Sequence, residues 1–228
     1  MRQIVLDTET TGLDPRQGHK IIEIGCVEMI NRRLTGNNYH QYIQPDREID
    51  EGAQAVHGIS NEFLSDKPRF ADVVKDFIEY VDGAELIIHN APFDVGFLNS
   101  EFKQAGAEFG QVSTYCAVID TLVMARKMRP GKKNNLDILC KEYGVNNAHR
   151  DLHGALLDSE LLAEVYLHMT GGQSNLSLDS NESADSGADT VVGKKLSSDR
   201  KPIKIINASE EELQAHQAII EKMGANSW

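Results

Sequence analysis

Two carboxylates near the start of the chain have the spacing of a metal-binding pair. Asp7 and Glu9 follow the apolar residues 4–6 and stand in the sequence DTETTG. Alternate side chains of a strand point to one face, so a strand here places both carboxylates on the same side. Such like charges repel, and one stays protonated unless a cation lies between them. Because hard oxygen ligands favour Mg²⁺ or Mn²⁺ over zinc, the pair predicts a divalent metal site, with a solvated strand end as the alternative.

A third carboxylate, Asp94, follows a short apolar strand predicted at residues 85–89. Asn90 is a candidate helix N-cap, and Pro92 suits a first helical turn. On that helix Asp94 precedes Phe97 by three residues and therefore shares its apolar stripe. A charged group on a buried face is costly unless it is paired or bound to a metal, which makes Asp94 a candidate ligand.

The fourth carboxylate and a histidine lie together in a later segment. Asp158 stands three residues before Leu161 and lies on the apolar stripe of a helix predicted at residues 153–169. His153 comes five residues earlier, roughly 140° round the helix, and cannot share that face in mid-helix. It can reach the same site from a loop or a first turn, and a surface histidine is the alternative. No residue is an evident charge partner for the inward carboxylates, which leaves a cation as the expected one.

These five residues match the pattern of a known enzyme family. In chain order they are Asp7, Glu9, Asp94, His153 and Asp158. Their motifs DTETTG, HNAPFD and HGALLD resemble those of the DEDD superfamily of 3′→5′ exonucleases, in its histidine branch, over residues 1–172. Smaller matching pieces are residues 56–59 and 135–140. Within the superfamily the chain is most similar to the proofreading (epsilon) subunits of bacterial DNA polymerase III.

Hydrolysis of an anionic phosphodiester explains why such a site needs metal and a base. Two divalent ions, Mg²⁺ or Mn²⁺, about 3.5–4 Å apart could activate a water and stabilise the leaving 3′ oxygen. Asp7 is the expected bridging ligand, Glu9 and Asp158 complete the first ion site, and Asp94 holds the second. His153 is the expected general base, because an imidazole can take a proton near neutral pH. The expected product is a nucleoside 5′-monophosphate.

A second group of residues is expected to hold the terminal nucleotide. We expect the backbone to approach the nucleotide at Thr10, Thr11 and Gly12. The candidate walls of the pocket are Val56, His57 and Phe93. For His57 a core or turn role remains almost equally open. His89 is interpreted as structural, and Asp120 as a helix cap.

Composition favours a cytoplasmic protein. Cys26, Cys116 and Cys140 form no C-x-x-C pair and no even set for disulfides, which suits a reducing compartment. We expect no signal peptide, because cleavage of one would remove Asp7. No apolar run approaches the ~20 residues of a membrane helix. The expected location is the bacterial cytoplasm, in association with the replisome and nucleoid.

The net charge of −12 is unusual for a protein that acts on DNA. Residues 1–172 carry 17 basic and 26 acidic side chains, and residues 173–228 carry 6 and 9. An acidic field repels a phosphate backbone, so we expect weak intrinsic DNA affinity and a partner that presents the strand end. The basic cluster at residues 126–133 is either a phosphate contact or a solvated loop.

Periodicity predicts an α/β fold with a mixed sheet covered by helices. An antiparallel meander is followed by strands that alternate with helices. The predicted strands are residues 3–9, 20–31, 34–43, 85–89 and 115–119. The predicted helices are residues 70–81, 92–106, 120–128, 135–143 and 153–169. The resemblance implies that this is the ribonuclease H-like fold of an exonuclease domain over residues 1–172.

The chain changes character after Gly172. Residues 173–200 contain seven serines and no aromatic residue, which predicts a flexible linker. Residues 173–178, which run from Gln173 to Leu178, are similar to the Gln-x-x-Leu-x-Leu peptides that bind the sliding clamp. A chance match is the alternative for so short a motif.

Residues 201–228 are predicted to bind another protein. Ser209 and Glu212 form a capping box before a short helix, and the apolar stripe of that helix needs a partner surface. Trp228 is a natural anchor. Docking back onto the exonuclease domain is the alternative, whereas the resemblance implies the polymerase (alpha) subunit as partner.

Two other functions stay open at this point. One is an RNA-trimming exonuclease of the same superfamily, which would need neither the linker nor the terminal helix. The other is a mainly scaffolding subunit of the polymerase. The sequence does not decide whether a small accessory subunit also binds.

Overall fold

The computed structural model describes residues 1–150 and 152–171, together with residues 209, 210, 212, 213, 216 and 217. The chain divides into two units, residues 1–176 and 177–228. The strands are β1 (Arg2–Thr10), β2 (Ile21–Ile30), β3 (Arg33–Leu34), β4 (Tyr39–Tyr42), β5 (Glu85–Ile88) and β6 (Ala117–Asp120). The helices are α1 (Glu51–His57), α2 (Asn61–Leu64), α3 (Phe70–Val81), α4 (Ala91–Ala105), α5 (Val112–Tyr115), α6 (Thr121–Met128), α7 (Leu136–Tyr143) and α8 (Ala155–Thr170). Short 3-10 turns lie at Pro15–Gln17 and Ala107–Phe109.

The six strands form one mixed sheet with β1 at its centre. The strand order is β3-β2-β1-β5-β6, and β4 pairs with β2 beside β3. β1 runs antiparallel to β2 and parallel to β5, and β5 runs parallel to β6. The predicted mixed sheet, with its antiparallel start and parallel continuation, is therefore confirmed.

Opposite faces of β1 pack against different helices. Ile4 and Leu6 belong to a core that includes residues of α3 and α4. Val5 lies in a second core with Leu162 and Tyr166 of α8. Because side chains alternate along a strand, the positions two and four residues after Val5 continue the face that α8 covers.

The first turn of α8 is fixed against β2 by close backbone contact. A Cβ atom on Gly25 would lie 2.2 Å from the carbonyl carbon of Ala155, so only glycine admits this approach. The Ser159 hydroxyl donates to the Gly25 carbonyl at 2.9 Å. The Glu23 carboxylate accepts the Ala155 backbone N–H at 3.2 Å. These contacts hold the start of α8 beside the carboxyl end of β1.

The structure corrects several predicted elements. The single strand predicted at residues 34–43 is two strands, β3 and β4, because Gly36 interrupts it with φ of 79°. Helices α1, α2 and α5 were not predicted, since they are short and each buries a single side chain. Asn90 occupies the predicted cap position but adopts φ of 66°, and its side chain makes no capping hydrogen bond. Pro92 lies in the first turn of α4, as predicted.

Part of the predicted tail lies among the described residues. The Ser209 N–H donates to Glu212 Oε2 at 2.8 Å, and the Glu212 N–H donates to Ser209 Oγ at 3.3 Å, which confirms the predicted capping box. The linker at residues 173–200, the clamp-like peptide and Trp228 lie outside the described residues. Among the described residues, no helix has both the length and the apolar character needed to cross a membrane.

Candidate active site

All five predicted catalytic residues line one cleft of about 420 Å³ at the carboxyl end of β1. They are Asp7, Glu9, Asp94, His153 and Asp158. The first two come from β1, Asp94 from the first turn of α4, and Asp158 from the first turn of α8. The carboxyl end of β1 thus brings together carboxylates that lie far apart in the sequence.

Three of the carboxyl groups hold their protons more tightly than usual. Burial, reinforced by the carboxylates of Asp94 and Glu9, raises the pKa of Asp7 well above its ordinary value. Burial and the nearby Asp158 raise the pKa of Glu9 to about 8. Burial likewise raises the pKa of Asp94 to about 7, although the Thr8 hydroxyl donates to Asp94 Oδ1 at 2.6 Å and opposes the shift. The carboxyl groups therefore repel one another as ions, as their spacing predicts.

Asp158 differs because a cation from the protein already contacts it. The Arg150 guanidinium donates from Nε to Oδ1 at 2.5 Å and from Nη2 to Oδ2 at 2.7 Å. Burial raises the pKa of Asp158, but the hydrogen bonds and the charge of Arg150, with His153 close by, outweigh it, and the net pKa is lowered. The prediction that the inward carboxylates have no protein partner is wrong for Asp158.

His153 lies in the segment just before α8. The predicted helix begins at Ala155 and not at residue 153, so the imidazole reaches the site from a loop. Its backbone N–H donates to the Val56 carbonyl at 3.1 Å, which ties this loop to α1. Ligand atoms of Glu9, His153 and Asp158 lie within 4.8 Å of one another and could hold a metal ion. The roles of His153 as a base and of Asp7 and Asp94 as ligands stay predictions.

A second cleft of about 470 Å³ adjoins the first and is mostly apolar. Thr8, Glu9 and Phe93 line both clefts. Five of the six predicted nucleotide-binding residues line the second cleft, namely Thr10, Gly12, Val56, His57 and Phe93.

Thr11 is the exception among the predicted nucleotide-binding residues. Its side chain is fully buried and contacts His19 Nδ1 at 3.1 Å. Its backbone N–H donates to the Lys20 carbonyl, and its own carbonyl accepts the Asp50 N–H at 3.0 Å. Because its polar groups are engaged within the protein, Thr11 supports the turn and does not line the cleft.

His57 lines the second cleft, but its ring nitrogens lie within the protein. Its Nδ1 accepts the backbone N–H of Ile59 at 3.0 Å, which leaves the ring proton of a neutral imidazole on Nε2. That atom is buried and has no hydrogen-bond partner among the described residues. Burial lowers the pKa of His57, which favours the neutral ring.

Of the two residues interpreted as structural, His89 lines the first cleft, and Asp120 caps a helix as predicted. The His89 ring contacts the Thr121 hydroxyl at 3.0 Å. The Asp120 carboxylate accepts the backbone N–H groups of Leu122 and Val123 and caps α6. In the basic cluster, Arg129 pairs with Glu142 at 2.8 Å, so this cation is engaged within the protein.

Among the cleft residues that were not predicted, two carry charge. Arg150 lines the cleft, and so does Asp137, whose Oδ1 accepts from Arg150 Nη1 at 2.7 Å. Asp137 lies at residues 135–140, one of the smaller pieces of sequence that match the exonuclease family. That match is the sequence feature that could have pointed to Asp137 as a site residue. Arg150 stands three residues before His153, but nothing in its spacing shows that it turns inward.

Comparisons with known proteins show the family and the fold of the chain. The sequence model of the family described as Exonuclease (RNase_T) matches residues 4–166. DNA polymerase III subunit epsilon of Salmonella typhimurium is 50% identical over 234 residues, covering 99% of this chain and 96% of that protein. The subunit of the same name from Haemophilus influenzae is 52% identical, covering 99% of this chain and 92% of that protein. Exonuclease X, solved with 5′-overhanging duplex DNA, has a TM-score of 0.59 at 28% identity, covering 75% of this chain and 94% of its own. The ribonuclease H-like exonuclease fold implied by the motifs is confirmed.

Proposed function

We propose a role for each site residue on the premise that this chain belongs to the exonuclease family and is a 3′→5′ exonuclease, the proofreading subunit of a replicative DNA polymerase. The observation that carries the proposal is the cleft in which four carboxylates and one histidine converge. Removal of a mispaired 3′-terminal nucleotide there yields a nucleoside 5′-monophosphate.

The carboxylate cluster has the chemistry of a divalent metal site. Its oxygen donors are hard ligands, and the raised pKa values of Glu9 and Asp94 reflect carboxyl groups that lack enough neutralising charge. Asp7, Glu9, Asp94 and Asp158 would hold two Mg²⁺ or Mn²⁺ ions. Bound divalent ions supply activation of the attacking water and stabilisation of the leaving 3′ oxygen.

His153 is the proposed proton acceptor. The imidazole is 44% exposed and sits on a loop next to Asp158, with Nδ1 at 3.4 Å from Asp158 Oδ2. A ring at the mouth of the cleft can take the proton of the attacking water and release it to solvent.

The second cleft is the proposed seat of the terminal nucleotide. Its mostly apolar lining, with Val56 and Phe93, suits the faces of a base and a sugar. His57 contributes a wall of this cleft. Phe93 borders both clefts and would set the terminal nucleotide beside the scissile phosphate.

Partners compensate for the acidic charge of the exonuclease. We infer that residues 201–228 bind the polymerase (alpha) subunit and that residues 173–178 bind the sliding clamp. The net charge of −12 weakens intrinsic DNA binding, and tethering beside the primer end raises the local concentration. The corresponding location is the cytoplasm, with the replisome. A small accessory subunit is compatible with this assembly.

Digestion of end-labelled oligonucleotides tests the metal assignment. With Mg²⁺ the parent should shorten single-stranded DNA from its 3′ end, and EDTA should abolish the reaction. Asp7→Ala should remove nearly all activity, because a carboxylate ligand is lost, whereas the surface variant Glu79→Gln should retain it. Near-normal digestion by Asp7→Ala would contradict the two-metal assignment. Faster digestion of matched RNA would favour an RNA-trimming enzyme, and no digestion at all would favour a scaffold.

His153→Ala tests the assignment of the base. Turnover should fall by about 10²–10⁴-fold, the usual contribution of general acid–base catalysis. Mn²⁺ affinity, measured by calorimetry, should change little, because His153 is proposed as a proton acceptor and not as a ligand. A loss of Mn²⁺ affinity as large as the loss of turnover would make His153 a ligand.

A further inference from the structure

The Arg150 side chain lies inside the candidate active site and contacts three of its polar groups. Besides the two bonds to Asp158, it donates from Nη1 to Asp137 and from Nη2 to His153 Nδ1 at 2.9 Å. The side chain is only 6% exposed. A buried guanidinium held on all sides is part of the site and not a solvated surface charge.

The contacts with Asp158 occupy the oxygens that a metal would use. A bidentate arginine–carboxylate pair engages both carboxylate oxygens at once. A divalent ion on the same carboxylate would stand close to the guanidinium, and two cations at that distance repel strongly in a partly buried site. Arg150 and a metal ion therefore compete for Asp158.

The contact with His153 has a related effect on the proposed base. An arginine side chain only donates hydrogen bonds, so His153 Nδ1 must be the acceptor, and the ring proton of a neutral imidazole is on Nε2. In this arrangement neither ring nitrogen has a free lone pair to take a proton from water. Release of Arg150 would free Nδ1.

Asp137 offers Arg150 a second position. It lies on α7, its side chain is 53% exposed, and it already accepts one bond from Arg150. A guanidinium that leaves Asp158 can keep its charge paired by turning toward Asp137, without crossing into solvent unpaired.

We propose that Arg150 is a resident cation that exchanges with the metal. It neutralises Asp158 and occupies His153 in the metal-free protein, and it moves to Asp137 when a divalent ion takes Asp158. Arg150 is a positioning residue in this scheme, and the scheme depends on the metal assignment made under Proposed function. As a consequence, binding of the metal ion at Asp158 also frees His153 Nδ1 to act as the base.

Calorimetric titration of the metal-free full chain with Mn²⁺ tests the exchange. An arginine that merely supports the ligands would, on removal, weaken metal affinity by about 10–100-fold. Arg150→Met keeps the length of the side chain without its charge. If Arg150 competes with the metal, this variant should bind Mn²⁺ about tenfold or more tightly than the parent. Asp137→Asn removes the alternative anion, and it should bind Mn²⁺ more weakly than the parent.

Matched controls come from a similar pair outside the cleft. Arg129 pairs with Glu142, which is also on α7. Arg129→Met and Glu142→Gln should leave Mn²⁺ affinity unchanged. Thermal denaturation in EDTA should show a lower Tm for Arg150→Met than for the parent, and addition of Mn²⁺ should raise its Tm by more than it raises that of the parent.

The outcomes separate the two proposals. If the parent binds no Mn²⁺, the metal assignment and the exchange both fail. If the parent binds Mn²⁺ and Arg150→Met binds it more weakly, only the exchange is overturned. Should Arg150→Met not fold, Arg150→Lys serves the same test, because an ammonium cannot engage both oxygens in the same fork and should bind Mn²⁺ more tightly than the parent. Weaker binding by Arg150→Lys would then overturn the exchange.

Discussion

The carboxyl group of Glu9 is protonated in the metal-free protein at pH values where a solvated glutamate is ionised. Its pKa rises from the ordinary 4.5 to about 8, with burial as the largest cause. Between these values the folded state binds a proton that the unfolded state has lost. Stability contributed in this way is present at low pH and decreases as the pH rises from about 4.5 to about 8. The raised pKa of Asp94 lowers the stability in the same way as the pH rises, up to its own pKa of about 7.

We therefore predict that the metal-free protein loses thermal stability between pH 5 and pH 8, and that Glu9→Gln loses less. Each pKa unit is worth about 1.4 kcal/mol, and about 1 kcal/mol shifts the Tm of a domain of this size by about 2–4 °C. At pH 8 in EDTA we expect the Tm of Glu9→Gln to exceed that of the parent by at least about 3 °C. Scanning calorimetry checks this, with the exposed Glu79→Gln as control. A parent Tm that is independent of pH in this window would contradict the charge repulsion.

Sequence reasoning identified the site residues whose types and local spacing carry the signal. Asp94 and Asp158 were found because each is a charged residue on an apolar helix stripe, and both are buried. Arg150 was missed because its partner Asp158 lies eight residues further along, and a loop between them makes no periodic pattern. Thr11 was expected to bring its backbone close to the nucleotide, but its backbone N–H and carbonyl form hydrogen bonds with Lys20 and Asp50.

Helix α8 carries Asp158, and its position depends on one glycine of β2. Gly25 pairs with Asp7 across the sheet and leaves no room for a Cβ atom next to Ala155. The close backbone approach of β2 to α8 therefore sets the helix that carries Asp158 beside the strand that carries Asp7. Elements with a long apolar stripe, such as α3 and α4, were predictable, whereas this contact depends on two segments that are distant in sequence.

Gly25→Ala should push the first turn of α8 away from β1. We expect destabilisation of about 1–3 kcal/mol, as for other overpacked sites, because the nearest neighbours are backbone atoms that cannot rotate away. Exonuclease turnover should fall at least about tenfold, since a misplacement of about 1 Å can lower turnover by that much or more. Gly96→Ala on α4 is the matched control, because nothing lies within 4 Å of a Cβ there. Equal activity and Tm in the two variants would show that the approach at Gly25 is not tight.

The exonuclease unit contains every residue of the candidate site, and the tail contains none of them. All five catalytic candidates precede residue 172, and the described residues of the tail include the capping box of Ser209 and Glu212. Catalysis and assembly are therefore assigned to different parts of the chain.

Truncation after Gly172 should leave an exonuclease that digests single-stranded DNA at a rate within about twofold of the parent and no longer binds the polymerase subunit. The physical reason is that no residue of the proposed site is removed, whereas the proposed contact with the polymerase is. Pull-downs with purified polymerase subunit and digestion assays measure the two effects.

A full-length variant separates the two partners. Gln173→Ala combined with Leu176→Ala should weaken binding to the sliding clamp and leave binding to the polymerase subunit intact. Capture of the polymerase subunit by the truncated protein at full strength would show that residues 201–228 are not the tether.

The central place of β1 in the sheet also determines when the site can exist. Asp7 is made near the beginning of synthesis, but β1 needs β5 on one side, and the cluster needs α8, which is among the last described elements of the chain. Contacts between such distant segments form late, because the closure of long loops is slow. A growing chain that has emerged only as far as α7 lacks Asp158. Under the proposed assignment we therefore expect nuclease activity to begin only when the exonuclease unit has been completed and folded.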